Sequence, residues 1–258
     1  MSTLLLRLAA PMQSWGASSR FKKLTTEREP TKSGVIGLIA AALGRERVDD
    51  LKDLCSLKFG VRIDQPGKLL RDYHTAHHPS DAKRSFISER YYLCDAVFVV
   101  GLETTDEEFL REIEAALLNP RFPLYLGRRS CPPVGQIILN ITPLSLSEAL
   151  ETQEWQAQDW YMKKLRHKAK IDLELVMETS LETLGSYLKR DMPVSFSEKQ
   201  RKYRFRSLYS DIQGVSVINS RYSNFPDTDL EQQLKKRETQ HDPFLTLEVN
   251  DVSFESRD

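Results

Sequence analysis

The order of predicted strands and helices over the first 142 residues restricts the fold of this chain more than any other feature of the sequence. Apolar runs bounded by Pro, Gly and polar residues predict strands, and apolar residues spaced three and four apart predict helices. In chain order the patterns give a strand at 3–10, a helix through 35–44, strands at 59–64 and 91–103, a helix within 104–120 and a strand at 136–142. This order is that of the split β-α-β, or ferredoxin-like, unit. We therefore expect an α+β protein with a ferredoxin-like, RRM-like core.

Two helix starts are marked by capping residues. Thr31 or Ser33 caps the first helix, and Thr105 with Glu108 fits a capping box at the start of the second. Between the second and third strands, residues 68–90 are polar and show no clear period, which makes this insertion long for a hairpin loop. We expect it to protrude from the core.

The C-terminal region reads less clearly. Residues 145–151 predict a short helix, 171–179 predict a strand, and 193–210 alternate enough to predict one or two strands. We therefore place a boundary near residue 142 and expect a mostly β region over 143–258.

Composition excludes several classes of protein. With 258 residues, 40% hydrophobic and 29% charged, the chain is of the globular type, and no apolar run is long enough to span a bilayer. The apolar start is short and is interrupted by Arg7, so we expect no signal peptide. Three widely spaced cysteines, Cys55, Cys94 and Cys131, fit reduced thiols in the cytoplasm.

The formal charge is zero, with 37 basic and 37 acidic residues, but the charges are unevenly distributed. Residues 227–258 carry nine acidic and four basic residues, so this segment has a net charge of −5 and the rest +5. Basic residues cluster at 22–32, 163–170 and 199–206. Such clusters either bind a polyanion, for example RNA or target DNA, or form solvated faces.

Known catalytic motifs are absent from the sequence, and no cofactor is indicated. There is no phosphate-binding loop, dinucleotide fingerprint or nucleophile elbow. His74, His77 and His78 leave three interpretations open. In the first, they ligate a metal together with Cys94. In the second, His74 with Tyr73, Lys83 or Arg84 cleaves RNA without a metal. In the third, they are polar residues of an arm that contacts RNA or protein.

The segment GRRSCPP at 127–133 is a stronger candidate for binding an anion. Gly127 permits a left-handed backbone, and Arg128 and Arg129, followed by Ser130, can grip phosphates. The alternative is an ordinary surface turn with two solvated arginines.

Two further candidates lie near the first helix. Its N-terminus, formed by Thr31, Lys32, Ser33 and Gly34, offers free N–H groups and a cation to an anion, although plain capping is the alternative. Trp15, between Gln13 and Gly16, either stacks on a base or closes the end of the core.

Taken together, five segments resemble the subtype I-E form of CRISPR-associated protein family five, a subunit of the Cascade surveillance complex. They occur in the family's order through residues 1–142 and are PMQSWG (11–16), PTKSGVIGLIAAALG (30–44), RDYHTAHH (71–78), RYYLCDA (90–96) and LYLGRRSCPP (124–133). The match beyond residue 142 is much less clear.

The resemblance implies a non-catalytic protein that binds the 5′ handle of CRISPR RNA and caps the Cascade backbone. Its partners would be the backbone subunit CasC, the large subunit CasA and, through the complex, target DNA. Residues 68–90 would form a thumb and 127–133 a glycine-rich RNA-binding loop. The alternative is a metal-independent endoribonuclease, as in a subtype I-C relative. The expected RNA-binding residues are Gln13, Trp15, Gly16, Arg28, Thr31, Lys32, Ser33, Gly34, Arg71, Tyr73, His74, Arg84, Gly127, Arg128, Arg129 and Ser130.

Overall fold

The structure is a computed structural model that describes residues 1–17, 23–78 and 81–223, without the side chains of 77–84. The described helices are α1 (Lys32–Ala42), α2 (Lys52–Ser56), α3 (Glu107–Leu118), α4 (Leu146–Thr152) and α5 (Asp159–Lys164). The described strands are β1 (Ser2–Ala9), β2 (Met12–Gln13), β3 (Lys23–Leu24), β4 (Lys58–Gln65), β5 (Lys68–His78), β6 (Asp81–Cys94), β7 (Val97–Thr104), β8 (Ile138–Thr142), β9 (Lys170–Glu178), β10 (Tyr187–Ser195) and β11 (Lys202–Ile218). The predicted mixture of helices and strands is confirmed.

Seven of the described strands form one antiparallel sheet in the order β10–β11–β9–β4–β7–β1–β8. Strand β1 lies between β7 and β8, with Leu5 opposite Gly101 on one side and Asn140 on the other. Strands from beyond residue 143 continue this sheet, because β9 pairs with β4. The two regions separated by the predicted boundary therefore share a sheet.

Both faces of the sheet are covered, which explains why apolar residues on β1 follow one another directly, as in Leu4–Leu6, rather than alternating with polar ones. Leu4, Leu6 and Leu8 point into the larger core, where α1 and α3 pack. Leu5 points to the opposite face, where it joins a second cluster with α4 and Leu173 of β9. The predicted helix at 145–151 corresponds to α4.

The insertion between β4 and β7 is a long antiparallel hairpin of β5 and β6. Short strands β2 and β3 pair with the base of β6, so the hairpin belongs to a second sheet. The prediction of one strand over 91–103 is wrong. The chain turns at Asp95, whose φ is 57°, and the surrounding apolar residues conceal this turn in the sequence.

The cap of α3 also differs from the prediction. Asp106, not Thr105, is the N-cap, and its carboxylate accepts a hydrogen bond from the backbone N–H of Phe109 at 3.1 Å. The N-cap of α1 is Thr31, which was one of the two predicted alternatives, the other being Ser33. Within the described residues, no helix is long and apolar enough to cross a membrane.

Candidate nucleic-acid interface

The glycine loop at 127–131 is held tightly against the segment that follows β1. Gly127 has a φ of 86°, and a Cβ at this position would lie 1.7 Å from the carbonyl oxygen of Ser14. The backbone N–H of Ser14 donates to the carbonyl of Leu126 at 3.1 Å, and the N–H of Cys131 donates to the carbonyl of Arg128 at 2.8 Å. Only glycine fits this approach, so the loop has a fixed shape and position.

Arg128 connects the loop to the base of the hairpin. Its Nη2 donates to the carbonyl oxygen of Leu24 in β3 at 2.7 Å, and its guanidinium lies 4.7 Å from the centre of the Tyr92 ring in β6. Its Nη1 is buried and has no hydrogen-bond partner within the described structure. Arg129 and Ser130, by contrast, are exposed beside it.

The base of the hairpin has two faces, because successive side chains of a strand point to opposite sides. The Tyr91 face carries the odd-numbered residues Arg71, Tyr73, Glu89 and Tyr91, and the Tyr92 face carries the even-numbered residues Asp72, His74, Arg90 and Tyr92. The register between β5 and β6 is regular from Lys68 to His77, so this assignment holds along the base.

On the Tyr91 face the charges pair with one another. The Arg71 guanidinium lies 4.6 Å from the Tyr73 ring and donates to Glu89 at 2.7 Å, and the Tyr91 hydroxyl also donates to Glu89. These hydrogen bonds, first that from Arg71, hold the pKa of Glu89 below its usual value. Tyr73 remains exposed beside Arg71.

His74 lies exposed on the Tyr92 face, where its backbone carbonyl accepts a hydrogen bond from Ser88. The side chains of Arg84, His77 and His78 fall outside the described residues. The rest of the described chain contains no group of three or more His, Cys, Asp or Glu residues arranged to hold a metal ion.

The side chains of Trp15 and Gln13, two of the predicted RNA contacts, are fully buried in the structure. The indole N–H of Trp15 donates to Gln13 Oε1 at 3.0 Å, and Gln13 Nε2 donates to the carbonyl of Ala96 at 2.8 Å. The ring packs on Gly34, where a Cβ would come within 2.8 Å of it. Trp15 therefore closes the end of the core, and of the three candidates Gln13, Trp15 and Gly16 only Gly16 is exposed.

The predicted anion site at the N-terminus of α1 is already filled by a carboxylate of the chain itself. The backbone N–H of Lys32 donates to Asp191 at 3.0 Å, and Thr31 caps Gly34 at 3.2 Å. Thr31, Lys32 and Ser33 are buried, and the structure shows the capping alternative at this helix. Their contact with RNA stays a prediction. No local pattern could predict this capping contact, because Asp191 lies 159 residues away from Lys32.

The Lys32 side chain belongs to the same buried network. Its Nζ donates to Glu178 at 2.9 Å and to the carbonyl of Leu57, and Arg206 binds Asp191 through Nε and Nη2. Burial lowers the pKa of Lys32, and the charge of Glu178 opposes this effect. One residue of the basic cluster at 199–206 is therefore a buried structural group.

Arg28 remains exposed, but its guanidinium is paired with Glu174 of β9. Of the predicted RNA-binding residues, the structure brings together Arg128, Arg129, Ser130 and Gly127 with the hairpin that carries Arg71, Tyr73 and His74. Sequence reasoning missed Arg90, which lies on the Tyr92 face and whose Nε is buried without a hydrogen-bond partner in the described chain. The available signal was its two-residue spacing from Tyr92.

Comparison with known proteins gives consistent matches. Residues 3–209 match the model of a family described as CRISPR-associated protein (Cas_Cas5). The CRISPR system Cascade subunit CasD of Escherichia coli (strain K12) is 42% identical over 158 residues, which cover 54% of this chain and 70% of the relative.

Two solved structures are similar over most of the chain. One, described as a Cas protein crystal structure, has 38% identity and a TM-score of 0.63, and the match covers 87% of this chain and 99% of that one. A chain of a CRISPR RNA-guided surveillance complex has 32% identity and a TM-score of 0.69, with 92% and 100% covered. The resemblance noted in the sequence is thus confirmed, and the chain belongs to the CRISPR-associated Cas_Cas5 protein family.

Proposed function

We propose that this chain is the subunit of a type I-E Cascade complex that binds the 5′ handle of CRISPR RNA and caps one end of the backbone. The relative named as a Cascade subunit and the similar chain from an RNA-guided surveillance complex support this role. The observation that carries the RNA-binding part is the fixed loop at Gly127, which holds Arg128 against the base of the hairpin and leaves Arg129 and Ser130 exposed.

This arrangement suits a single strand of RNA. Guanidinium groups grip phosphates and so set the register of a strand, whereas exposed bases are read by stacking and hydrogen bonds. The loop offers the cations, and Tyr73 and His74 on the neighbouring hairpin offer a ring and a hydrogen-bonding imidazole at the surface.

We assign the sheet order β4–β7–β1–β8 to the ferredoxin-like core, since the split β-α-β unit places its third strand between the first and second and its fourth beside the first. The hairpin of β5 and β6 is then the thumb. Exposed apolar side chains at Leu69, Phe86 and Ile87 give it a surface that suits a protein partner, which we take to be the adjacent backbone subunit CasC. CasA and target DNA would be reached through the assembled complex.

We infer a non-catalytic role, in line with the relative's description as a Cascade subunit. Ribonuclease activity through His74 is the competing hypothesis, and the same preparation tests both. The tagged full chain is expressed with the other subunits and the repeat RNA, purified, and incubated with repeat RNA in EDTA.

The expected result is co-purification of a guide RNA and the other subunits, with the added RNA left intact. Purification of the chain without RNA or partners would contradict the proposal. Cyclic-phosphate products that disappear in His74→Ala would instead establish the endoribonuclease.

A further inference from the structure

Two half-buried arginines at the base of the hairpin each have one buried N–H donor without an acceptor in the described structure. These are Nε of Arg90 and Nη1 of Arg128, both buried from solvent and both without a hydrogen-bond partner in the described structure. Buried donors in folded proteins are nearly always paired, and an exception calls for an explanation such as a missing ligand. Since both groups are always cationic, an anion is the acceptor that would satisfy the hydrogen bonds and the charge together.

The register of the strands brings the two side chains to one place. Arg90 and Tyr92 are two residues apart on β6 and so lie on the same face, about 7 Å apart along the strand. The Arg128 guanidinium lies over Tyr92, and its Nη2 donates to Leu24, which is the register partner of Arg90 on β3. Both guanidinium groups therefore border the same small region of the Tyr92 face.

The carboxylates nearby do not neutralise these cations. Asp72 lies opposite Arg90 on β5 but forms no ion pair with it among the described residues, and Glu89 points to the other face, where it binds Arg71. Arg128 likewise has no carboxylate partner in the described part of the chain. Arg71 on the same hairpin differs, because it is paired with the carboxylate of Glu89.

We propose that Arg90 and Arg128 form a subsite for one backbone phosphate of the bound RNA, with Arg90 as a contact that the glycine loop alone does not provide. This inference rests on the proposed RNA-binding function and adds a defined phosphate contact at the base of the thumb. The Tyr92 ring and the Leu24 carbonyl hold Arg128 in place before RNA arrives. Because the two unpaired donor atoms are covered in the free protein, a phosphate reaches them only when neighbouring side chains move aside.

The test compares Arg90→Gln and Arg90→Lys with a matched control, Arg111→Gln, which removes an equivalent charge from an exposed ion pair on α3. RNA affinity is measured over a range of salt concentrations, using the full chain and single-stranded RNA that carries the 5′ handle. Arg90→Gln should weaken binding about tenfold. It should also reduce the slope of log affinity against log salt by up to about 0.7, the value for one phosphate contact to a single strand, since Arg128 remains at the same phosphate. The affinity and salt slope of Arg90→Lys should lie between those of Arg90→Gln and the wild type. Arg111→Gln should bind RNA with the affinity and salt slope of the wild type.

A second arm identifies the atom that is bound. Handle RNAs with one methylphosphonate each, a neutral replacement for a phosphate, are scanned against the wild type and Arg90→Gln. At one position the replacement should weaken wild-type binding more than it weakens binding by Arg90→Gln, in which only Arg128 still contacts that phosphate. If no position shows this coupling, the phosphate subsite is wrong.

Thermal unfolding separates the subsite from a structural role. Removing a cation whose buried N–H donor lacks an acceptor should leave the melting temperature of the free protein unchanged or raised. A lower melting temperature with unaltered RNA affinity would overturn the proposal and make Arg90 a structural residue. Stabilisation of the wild type by inorganic phosphate alone, without any change in RNA binding by Arg90→Gln, would show a free-anion site and would also overturn it.

The proposed function fails separately, if the wild-type chain and its complex bind no handle RNA at all. If the wild type binds the RNA and Arg90→Gln binds it with the same affinity and salt slope, the function stands and only the subsite is wrong.

Discussion

Two basic regions of this molecule look alike in the sequence but differ in how the fold treats their charge. At the start of α1, Lys32 and Arg206 are neutralised by Glu178 and Asp191, which come from distant strands. At the base of the hairpin, the described structure provides Arg128 with a backbone carbonyl and an aromatic ring but no carboxylate. A basic cluster therefore indicates a polyanion site only where no carboxylate from elsewhere in the fold reaches it.

The largest expected effect lies in the neutralised region. Asp191→Ala leaves Arg206 buried without its bidentate partner and removes the acceptor for the Lys32 N–H. Breaking a buried ion pair by removing one partner costs about 3–5 kcal/mol, and we expect a loss of this size in urea-induced unfolding. Asp50→Asn, which removes an exposed carboxylate paired with Lys52, serves as the control and should leave the stability close to that of the wild type. Equal effects of the two variants would show that the buried network is not structural.

Gly127→Ala is expected to have the next largest effect, because the new Cβ would meet the Ser14 carbonyl and the backbone would have to move. Gly135→Ala is the matched control, since its φ of 77° imposes the same backbone strain but the nearest atom to its Cβ is 3.8 Å away. We expect about 1–2 kcal/mol for Gly135→Ala from strain alone and a clearly larger loss for Gly127→Ala, measured by thermal unfolding and accompanied by weaker RNA binding. Similar values for the two variants would mean that the loop moves freely away from Ser14.

Replacing both Arg128 and Arg129 by Ala should affect RNA binding more than stability. Two phosphate contacts to a single strand contribute about 1.4 to the salt slope, so the slope should fall by up to that amount and affinity should fall at low salt. Filter binding or fluorescence anisotropy with handle RNA at several salt concentrations measures both quantities. An unchanged slope would show that the loop does not contact the RNA phosphates. The two basic regions would then not differ in polyanion binding.

The smallest expected effect concerns the exposed ion pair of Arg71 and Glu89 on the Tyr91 face. The hydrogen bond from Arg71 lowers the pKa of Glu89 in the folded protein, so the pair contributes stability above the ordinary glutamate pKa and loses it as the pH falls through the lowered value. An NMR titration of the Glu89 carboxyl group should show this low pKa, and Arg71→Gln should raise it toward the ordinary value. A pKa that does not respond to this substitution would mean that Arg71 is not paired in solution and is free for RNA.

The sequence predicted the elements whose signals are local. The apolar run of β1, the Thr31 cap of α1 and the apolar face of α3 depend on residues within a few positions of one another, and each of these elements is present. The glycine loop was found for the same reason, since its backbone conformation requires glycine at residue 127.

The sequence did not predict features that depend on contacts between distant residues. Whether Lys32 faces solvent or a carboxylate is decided by Asp191, which reaches it only after β10 has joined the sheet. The sequence around Trp15 is compatible with stacking on a base and with packing in the core, and only the folded structure shows that the ring packs on Gly34. Arg90 was not predicted as a candidate, because its place near Arg128 depends on the pairing of β3 with β6 and on the contact of Arg128 with Leu24.

The central claim is that the base of the hairpin and the glycine loop are left positively charged in order to hold the guide RNA. The most direct measurement is the structure of the assembled complex with its guide RNA. We predict one RNA phosphate within hydrogen-bonding distance, about 2.7–3.2 Å, of both Arg128 Nη1 and Arg90 Nε. A complex in which this loop and the base of the hairpin face solvent, away from any ribonucleotide, would contradict the claim.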